Sequence, residues 1–188
     1  MNIVGYKPTT KNKLMSSELA QEISTLMPLR YQLHEEWTLL YSMEQEGASL
    51  KTLYNRIKPK NKQIQHGYVF AIKDAAGGVF GAYVNEAPQP RDRFFGNGDC
   101  FLWRQVRGKD EASPARFEAF PYTGMNDFCM NCTTQHLSFG CSDGHYGIWV
   151  DDNLHRGVSH PCQTFGNPKM TAEHGNKFKV IALEVWLI

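Results

Sequence analysis

Two segments in the first third of the chain carry apolar residues at the spacing of one helical face. Each begins after a serine that can cap a helix N-terminus, Ser16 or Ser49, and stops near a proline, Pro28 or Pro59. These segments predict two short amphipathic helices. Their apolar positions are Leu19, Ile23 and Leu26 in the first, and Leu50, Leu53, Tyr54 and Ile57 in the second.

Most of the remaining chain shows patterns typical of β-strands. Aromatic and branched residues at 37–42 predict a strand, and 68–73 and 79–84 predict a hairpin around the turn 75–78. Clusters of Pro, Gly, Asn and Asp separate the later candidates. Those candidates are residues 100–106, 116–120, 128–133, 145–150 and 178–187.

Short strands at this spacing predict a β-sandwich. The loops 86–93 and 108–114 are too short to separate domains, and the chain has no repeat of 20 to 50 residues. We therefore expect one domain spanning residues 1–188. The predicted fold class is α+β, a two-sheet antiparallel β-sandwich flanked by short helices.

Composition and charge narrow the classes of function. With 20 basic and 19 acidic residues, the net charge is +1, and no dense Lys/Arg stripe indicates binding to nucleic acid. No apolar run is long enough to cross a bilayer, and the N-terminus lacks the apolar core of a secretory signal. We expect a cytosolic monomer. The 5 cysteines then fit reduced, buried thiols better than a disulfide framework.

Cys129 and Cys132 form a C-x-x-C motif that could bind zinc together with Cys141 and His145. The motif lies in a predicted strand, where residues three apart point to opposite faces, so we predict no metal site. A redox motif would need a helix N-terminus to lower a thiol pKa, and none is predicted here. The acidic residues within 143–152 do not match a calcium loop.

His155 and His160 lie close to Ser159, which superficially suggests a hydrolase. No G-x-S-x-G nucleophile elbow is present, however. The glycine-rich segments 75–78 and 96–98 are not followed by a helical pattern, so they indicate turns rather than phosphate-binding loops. We predict no catalytic residue and no cofactor.

The last strand contains one acidic residue among apolar neighbours. Strict alternation would place Phe178, Val180, Ala182, Glu184 and Trp186 on one face. A carboxylate in that position is costly unless it is hydrogen-bonded or paired. Glu184 is therefore either a structural anchor that holds a loop or part of a binding surface, and we favour the anchor.

Several segments, in the same order, resemble the TLDc domain family from about residue 5 to the C-terminus. They are WTLLYS at 37–42, GASL at 47–50, VFGAY at 79–83, GDCFLW at 98–103, DGHYG at 143–147, GVSHPCQTFGN at 157–167 and ALEVW at 182–186. PTTKNKL at 8–14 and PYTG at 121–124 are similar to the fungal oxidation-resistance branch, which includes the budding-yeast member. That member has an N-terminal extension, which leads us to expect a trimmed or naturally short chain here.

The resemblance implies two packed antiparallel sheets with flanking helices. It also implies a non-catalytic regulator that binds subunits of the V1 sector of the vacuolar-type proton-pumping ATPase, promotes disassembly and inhibition of this pump, and contributes to oxidative stress resistance. Such a protein would be cytoplasmic and would reach the vacuolar membrane only through the pump, with a mitochondrial pool left open. We expect the contacts to involve Gly157, Ser159, Thr164, Phe165, Glu184 and Trp186.

Two alternatives stay open. The domain could remove oxidants directly through a reactive thiol at Cys129, Cys132 or Cys162. It could instead be a general scaffold for other cytosolic partners. The thiol alternative predicts an accessible cysteine with a lowered pKa, whereas the scaffold predicts partners other than the pump.

Overall fold

A computed structural model describes residues 1–61, 63–106 and 115–188. The predicted loop 108–114 lies outside the described residues. In chain order the elements are β1 Asn2–Val4, α1 Ser17–Ser24, α2 Leu29–Gln32, β2 Glu36–Ser42, α3 Met43–Glu46, α4 Leu50–Ile57, β3 Tyr68–Asp74, β4 Val79–Val84, β5 Phe101–Val106, β6 Arg116–Pro121, β7 Met130–Cys132, β8 His136–Ser142, β9 His145–Asp151, β10 Arg156–Val158 and β11 Lys177–Leu187.

The strands form two sheets that share the long strand β11. Sheet A has the order β6-β5-β4-β3-β11-β2-β1, and sheet B has the order β11-β10-β9-β8-β7. All pairs are antiparallel except β1 with β2, which is parallel. The first residues of β11 pair with β10, whereas its later residues lie between β3 and β2. The predicted α+β sandwich is confirmed.

Apolar side chains fill two layers, one on each face of sheet A. Between the sheets, Phe70 of β3 packs on Phe139 of β8 with ring centroids 5.0 Å apart. On the opposite face, α1, α2 and the N-terminal segment cover a second cluster around Trp37, Trp103 and Trp186. Sheet A is therefore buried on both faces, which explains why β3 is apolar along most of its length. No described helix is long and apolar enough to span a bilayer.

Both predicted helices are confirmed, together with the serine caps. The Ser16 hydroxyl accepts the Leu19 N–H at 3.2 Å, and the Ser49 hydroxyl accepts the Thr52 N–H at 3.3 Å. Leu26 was predicted on the buried face of the first helix, but α1 ends at Ser24 and leaves this side chain 41% exposed. The hairpin β3–β4 is confirmed as well.

The predicted alternation along the C-terminal strand is wrong because β11 contains a bulge. Its pairing with β3 shifts register between Val180 and Ala182, so Ile181 is the extra residue. As a result, Phe178, Val180, Leu183 and Val185 face the space between the sheets, and Ala182 and Trp186 face the helices. A second shift, between Val185 and Trp186 in the pairing with β2, has Leu40 as its extra residue and turns Tyr41 towards the inter-sheet core.

Some elements were not predicted from the sequence. β8 was missed although the polar residues His136 and Ser138 alternate with the apolar residues Leu137 and Phe139, which is a sequence pattern typical of a strand. The other missed elements, β1, β10, α2 and α3, have three or four residues each and are too short to show a period.

Phe139→Ala tests the inter-sheet core. Loss of a fully buried ring that packs on Phe70 should lower the free energy of unfolding by ~3–5 kcal/mol. The matched control is Phe128→Ala, whose ring is 41% exposed and should cost at most ~1 kcal/mol. Urea denaturation followed by circular dichroism measures both, and equal losses would contradict the packing described above.

Candidate functional site

The residues predicted to contact a partner lie in the interior of the domain. All are buried, and Ser159, Thr164, Glu184 and Trp186 have no exposed surface. In this conformation their side chains are not available to a partner, so their role in binding stays a prediction. The segment 157–167 does reach the surface at other positions. Its exposed residues are Pro161, Gln163 and Gly166.

Ser159 and Gly157 hold the start of this segment against sheet B. The Ser159 hydroxyl donates to the Gly147 carbonyl at 2.7 Å and accepts the Met170 N–H at 2.7 Å. With both roles used by the backbone, this hydroxyl is a fixed structural link, and His160 makes no hydrogen bond to it among the described contacts. Gly157 packs under Phe178, where a Cβ would lie 2.1 Å from the ring.

Thr164 and Phe165 hold the far end of the segment. The Thr164 hydroxyl accepts the Cys141 N–H at 3.0 Å and lies 2.8 Å from the Asn126 side-chain oxygen, to which it donates. Phe165 covers Gly140, where φ is +72° and a Cβ would come within 2.8 Å of the ring. These two residues therefore join the loop to β8 and to the turn before β7.

Glu184 lies at the centre of sheet A with three hydrogen-bond donors around its carboxylate. The Tyr6 hydroxyl donates at 2.7 Å, the Leu14 N–H at 3.1 Å and the Trp186 indole N–H at 3.1 Å. The Tyr6 ring also packs edge-on against Trp186, with centroids 5.1 Å apart. Of the two roles considered for Glu184, this geometry favours the structural anchor.

The segment anchored in this way, residues 5–15, is named here the N-terminal strap. Besides Glu184, it is held by two side chains of α3. Gln45 accepts the Lys7 N–H at 2.6 Å, and Glu44 accepts the backbone N–H groups of Lys11 and Asn12 at 2.7 and 2.9 Å. The strap is therefore held on the face of sheet A by side-chain acceptors rather than by strand pairing.

The electrostatics of the anchor follow from its burial. Desolvation raises the pKa of Glu184 to about 7, although the hydrogen bonds from Tyr6, Leu14 and Trp186 favour the charged form. Burial and the adjacent carboxylate also raise the pKa of Tyr6. Between pH 4.5 and about 7, the folded protein therefore holds a proton on Glu184 that an unfolded chain would release.

The cysteines are all free thiols and all buried. Burial raises the pKa of Cys132 to about 12 and also raises those of Cys141 and Cys162. The hydrogen bond shared with Cys100, together with burial, raises the pKa of Cys129, while the same bond lowers that of Cys100. Cys100 is only 1% exposed, so even this thiol lacks the access that a reactive cysteine needs.

The candidate zinc ligands do not come together. Among residues 1–61, 63–106 and 115–188, no group of three or more His, Cys, Asp or Glu side chains could hold a metal ion. Cys132 lies beside β8 in the inter-sheet core, and His145 is exposed at the start of β9, where its ring packs on His160 at 4.5 Å.

One buried carboxylate was missed from the sequence. Asp74, 1% exposed, accepts the Gly78 N–H at 2.7 Å within the β3–β4 turn. Its other oxygen accepts the Thr171 hydroxyl at 2.6 Å and the Ala172 N–H at 2.8 Å. The Asp at the start of a Gly-Gly turn was a usable signal for the first bond, but the contact with 171–172 spans 97 residues and leaves no local pattern.

Comparison with known proteins identifies relatives over nearly the whole chain. A family model described as the TLDc domain matches residues 8–188. The Saccharomyces cerevisiae protein called oxidation resistance protein 1 is 47% identical, with 98% of this chain and 76% of the relative covered. Proteins of the same name from Kluyveromyces lactis and Yarrowia lipolytica are 45% and 46% identical, cover all of this chain, and are themselves covered to 80% and 79%.

Glu184→Gln should remove a pH dependence of stability. The pKa of Glu184 is about 7 in the folded chain, against 4.5 for an exposed glutamate. Wild-type stability should therefore fall, relative to the variant, as pH rises from 4.5 to about 7, with a slope of up to ~1.4 kcal/mol per pH unit. Urea unfolding at a series of pH values measures this, with the exposed Glu22→Gln as control. Parallel curves for wild type and Glu184→Gln would show that the carboxylate does not titrate as described.

Native thiols should react slowly with a disulfide reagent such as Ellman's reagent. Because the cysteines are buried, labelling requires opening, and ~2.8 kcal/mol of opening free energy already slows it ~100-fold. Asn153→Cys places a thiol at an exposed loop position and provides the fast control. A native cysteine that reacts as fast as the thiol introduced by Asn153→Cys would contradict the burial of the thiols.

Proposed function

The chain belongs to the TLDc domain family of oxidation resistance proteins, and from this premise we propose that it acts without catalysis, by binding the V1 sector of the vacuolar-type proton-pumping ATPase. Binding promotes disassembly and inhibition of the pump. Under this proposal the protein works from the cytosol and meets the vacuolar membrane only through the pump. Resistance to oxidative stress follows from control of the pump rather than from chemistry on oxidants.

The observation that carries the proposal is the family match over residues 8–188. The internal polar groups are consistent with a binding module. Ser159, Thr164 and Glu184 are saturated by hydrogen bonds inside the fold, which leaves none of them free to act on a substrate. Under the proposal, these groups stabilise the fold and the surface carries the function.

Disassembly needs only a difference in affinity. If the domain binds the free V1 sector better than the assembled pump, it shifts the population towards the free sector. A difference of ~3 kcal/mol in binding free energy corresponds to a ~150-fold ratio of the two affinities. Couplings of this size between binding sites are known. No covalent step is required, and a folded domain with complementary surface charge can supply such a difference.

The redox alternative requires a thiol that oxidants can reach. Burial of Cys129, Cys132 and Cys162, with raised pKa values, argues against it. The two functions can be separated experimentally, because replacing the cysteines removes redox chemistry and leaves the surface unchanged.

The experiment compares wild-type protein with a variant that carries Cys129→Ala, Cys132→Ala and Cys162→Ala. Each is added to vacuolar membranes that carry the assembled pump, and release of V1 subunits into the supernatant is measured after sedimentation. We expect equal release by both proteins. The three single variants, checked for folding by circular dichroism, provide the comparison if the triple variant is unstable.

Two outcomes would contradict this proposal. A folded cysteine variant that has lost release would favour thiol chemistry. A wild-type protein that neither releases nor co-sediments with V1 subunits would refute the pump as partner, and affinity capture of other cytosolic proteins would then favour a scaffold.

A further inference from the structure

A groove of 910 Å³ crosses the outer face of sheet B, outside every residue predicted to bind a partner except Gly157 at its floor. The strands β9, β10 and β11 form it side by side. The residues that give the groove its chemistry are Trp149, Arg156, Val158, Glu173, Lys177 and Lys179.

Strand register brings these side chains together. Arg156 on β10 is paired with Lys179 on β11, and Val158 is paired with Lys177 on one side and with Trp149 on the other. Paired residues of neighbouring strands lie on the same face with Cβ atoms about 5 Å apart. The groove therefore has an apolar row, Trp149 and Val158, next to three cationic side chains.

Three exposed cations give the groove its positive charge. Arg156, Lys177 and Lys179 are exposed, and none of them forms an ion pair within the part of the chain that the structure describes. The two nearby carboxylates are already engaged by backbone N–H groups. Glu173 accepts from Ala75 and Lys179, and Asp151 accepts from His155 and Arg156. The groove therefore presents unpaired positive charge.

Trp149 distinguishes this surface from the rest of the molecule. The other tryptophans, Trp37, Trp103 and Trp186, are fully buried, whereas Trp149 is half-buried at the groove. Its ring stacks on His136 at 5.9 Å, and Trp and Arg are both enriched in protein interfaces. No described helix covers this face, since α1 and α2 pack on sheet A.

We propose that this groove binds an acidic segment of a partner protein, with glutamate or aspartate side chains on Arg156, Lys177 and Lys179 and an apolar side chain on Trp149. This inference names the surface that would contact the V1 sector. In that respect it rests on the proposed function. A protein segment fits better than nucleic acid or a lipid surface, because the basic patch is short, has an apolar row and belongs to a chain of net charge +1.

The first experiment uses the fluorescence of Trp149 in the full chain. The probe is a synthetic peptide with leucines spaced among glutamates, and its control has glutamine at each glutamate position. The glutamate peptide should change the emission and protect Trp149 from acrylamide quenching, with an affinity that falls as salt rises. The glutamine peptide should bind ~10-fold more weakly or worse.

Two charge-matched variants show whether the peptide binds at the groove. The groove variant carries Arg156→Glu, Lys177→Glu and Lys179→Glu, and the control variant carries Lys51→Glu, Lys58→Glu and Lys60→Glu at exposed positions elsewhere. Both have the same net charge, and unfolding curves check that both fold. The groove variant should lose peptide binding by ~10-fold or more, while the control variant binds like wild type.

Three results would overturn the groove as a site for an acidic protein segment. They are no response to the glutamate peptide, equal loss in both variants, and tighter binding of a DNA duplex or of phosphatidylserine vesicles than of the peptide. Association with purified V1 sector is measured separately on the same proteins. If wild type fails to bind V1, the proposed function fails while the peptide titration still decides the groove. If the groove variant binds V1 like wild type, the groove is not the contact with the pump.

Discussion

The buried carboxylate of Glu184 on β11 is the interaction on which the arrangement of this domain most depends. β11 belongs to both sheets, and Glu184 lies in the part of this strand that passes through the centre of sheet A. Three donors satisfy the carboxylate, and two of them, the Tyr6 hydroxyl and the Leu14 N–H, hold the N-terminal strap on the face of sheet A. Without that acceptor, the Tyr6 hydroxyl and the Leu14 N–H would lose a buried partner.

The same strand, β11, carries both the exposed basic residues of the groove and the buried residues of the core. Near its start, β11 belongs to sheet B and exposes Lys177 and Lys179 on the outer face of that sheet. The bulge at Ile181 then resets its alternation, so that the later residues are buried on both faces. The anchor and the groove thus lie at two ends of one strand, with the proposed binding surface at the exposed end and the stabilising contacts at the buried end.

Local patterns in the sequence were sufficient for much of the fold. Capping serines located α1 and α4, the hairpin β3–β4 followed from its turn, and the family motifs carried the two-sheet architecture. The faces of β11 were not predictable, because a bulge shifts every later residue and leaves no mark in composition. The groove was missed for a related reason: Lys177 is distant in the chain from Trp149 and Arg156, and only the pairing of β11 with β10 brings it beside them.

The central claim is that the domain works by preferring one state of a partner over another. Its most direct test is a pair of affinities, measured by biolayer interferometry for wild-type protein against purified free V1 sector and against the assembled pump in nanodiscs. The account predicts binding to the free sector at least ~10-fold tighter than to the assembled pump. Equal affinity for the two states, or no binding to either, would contradict it.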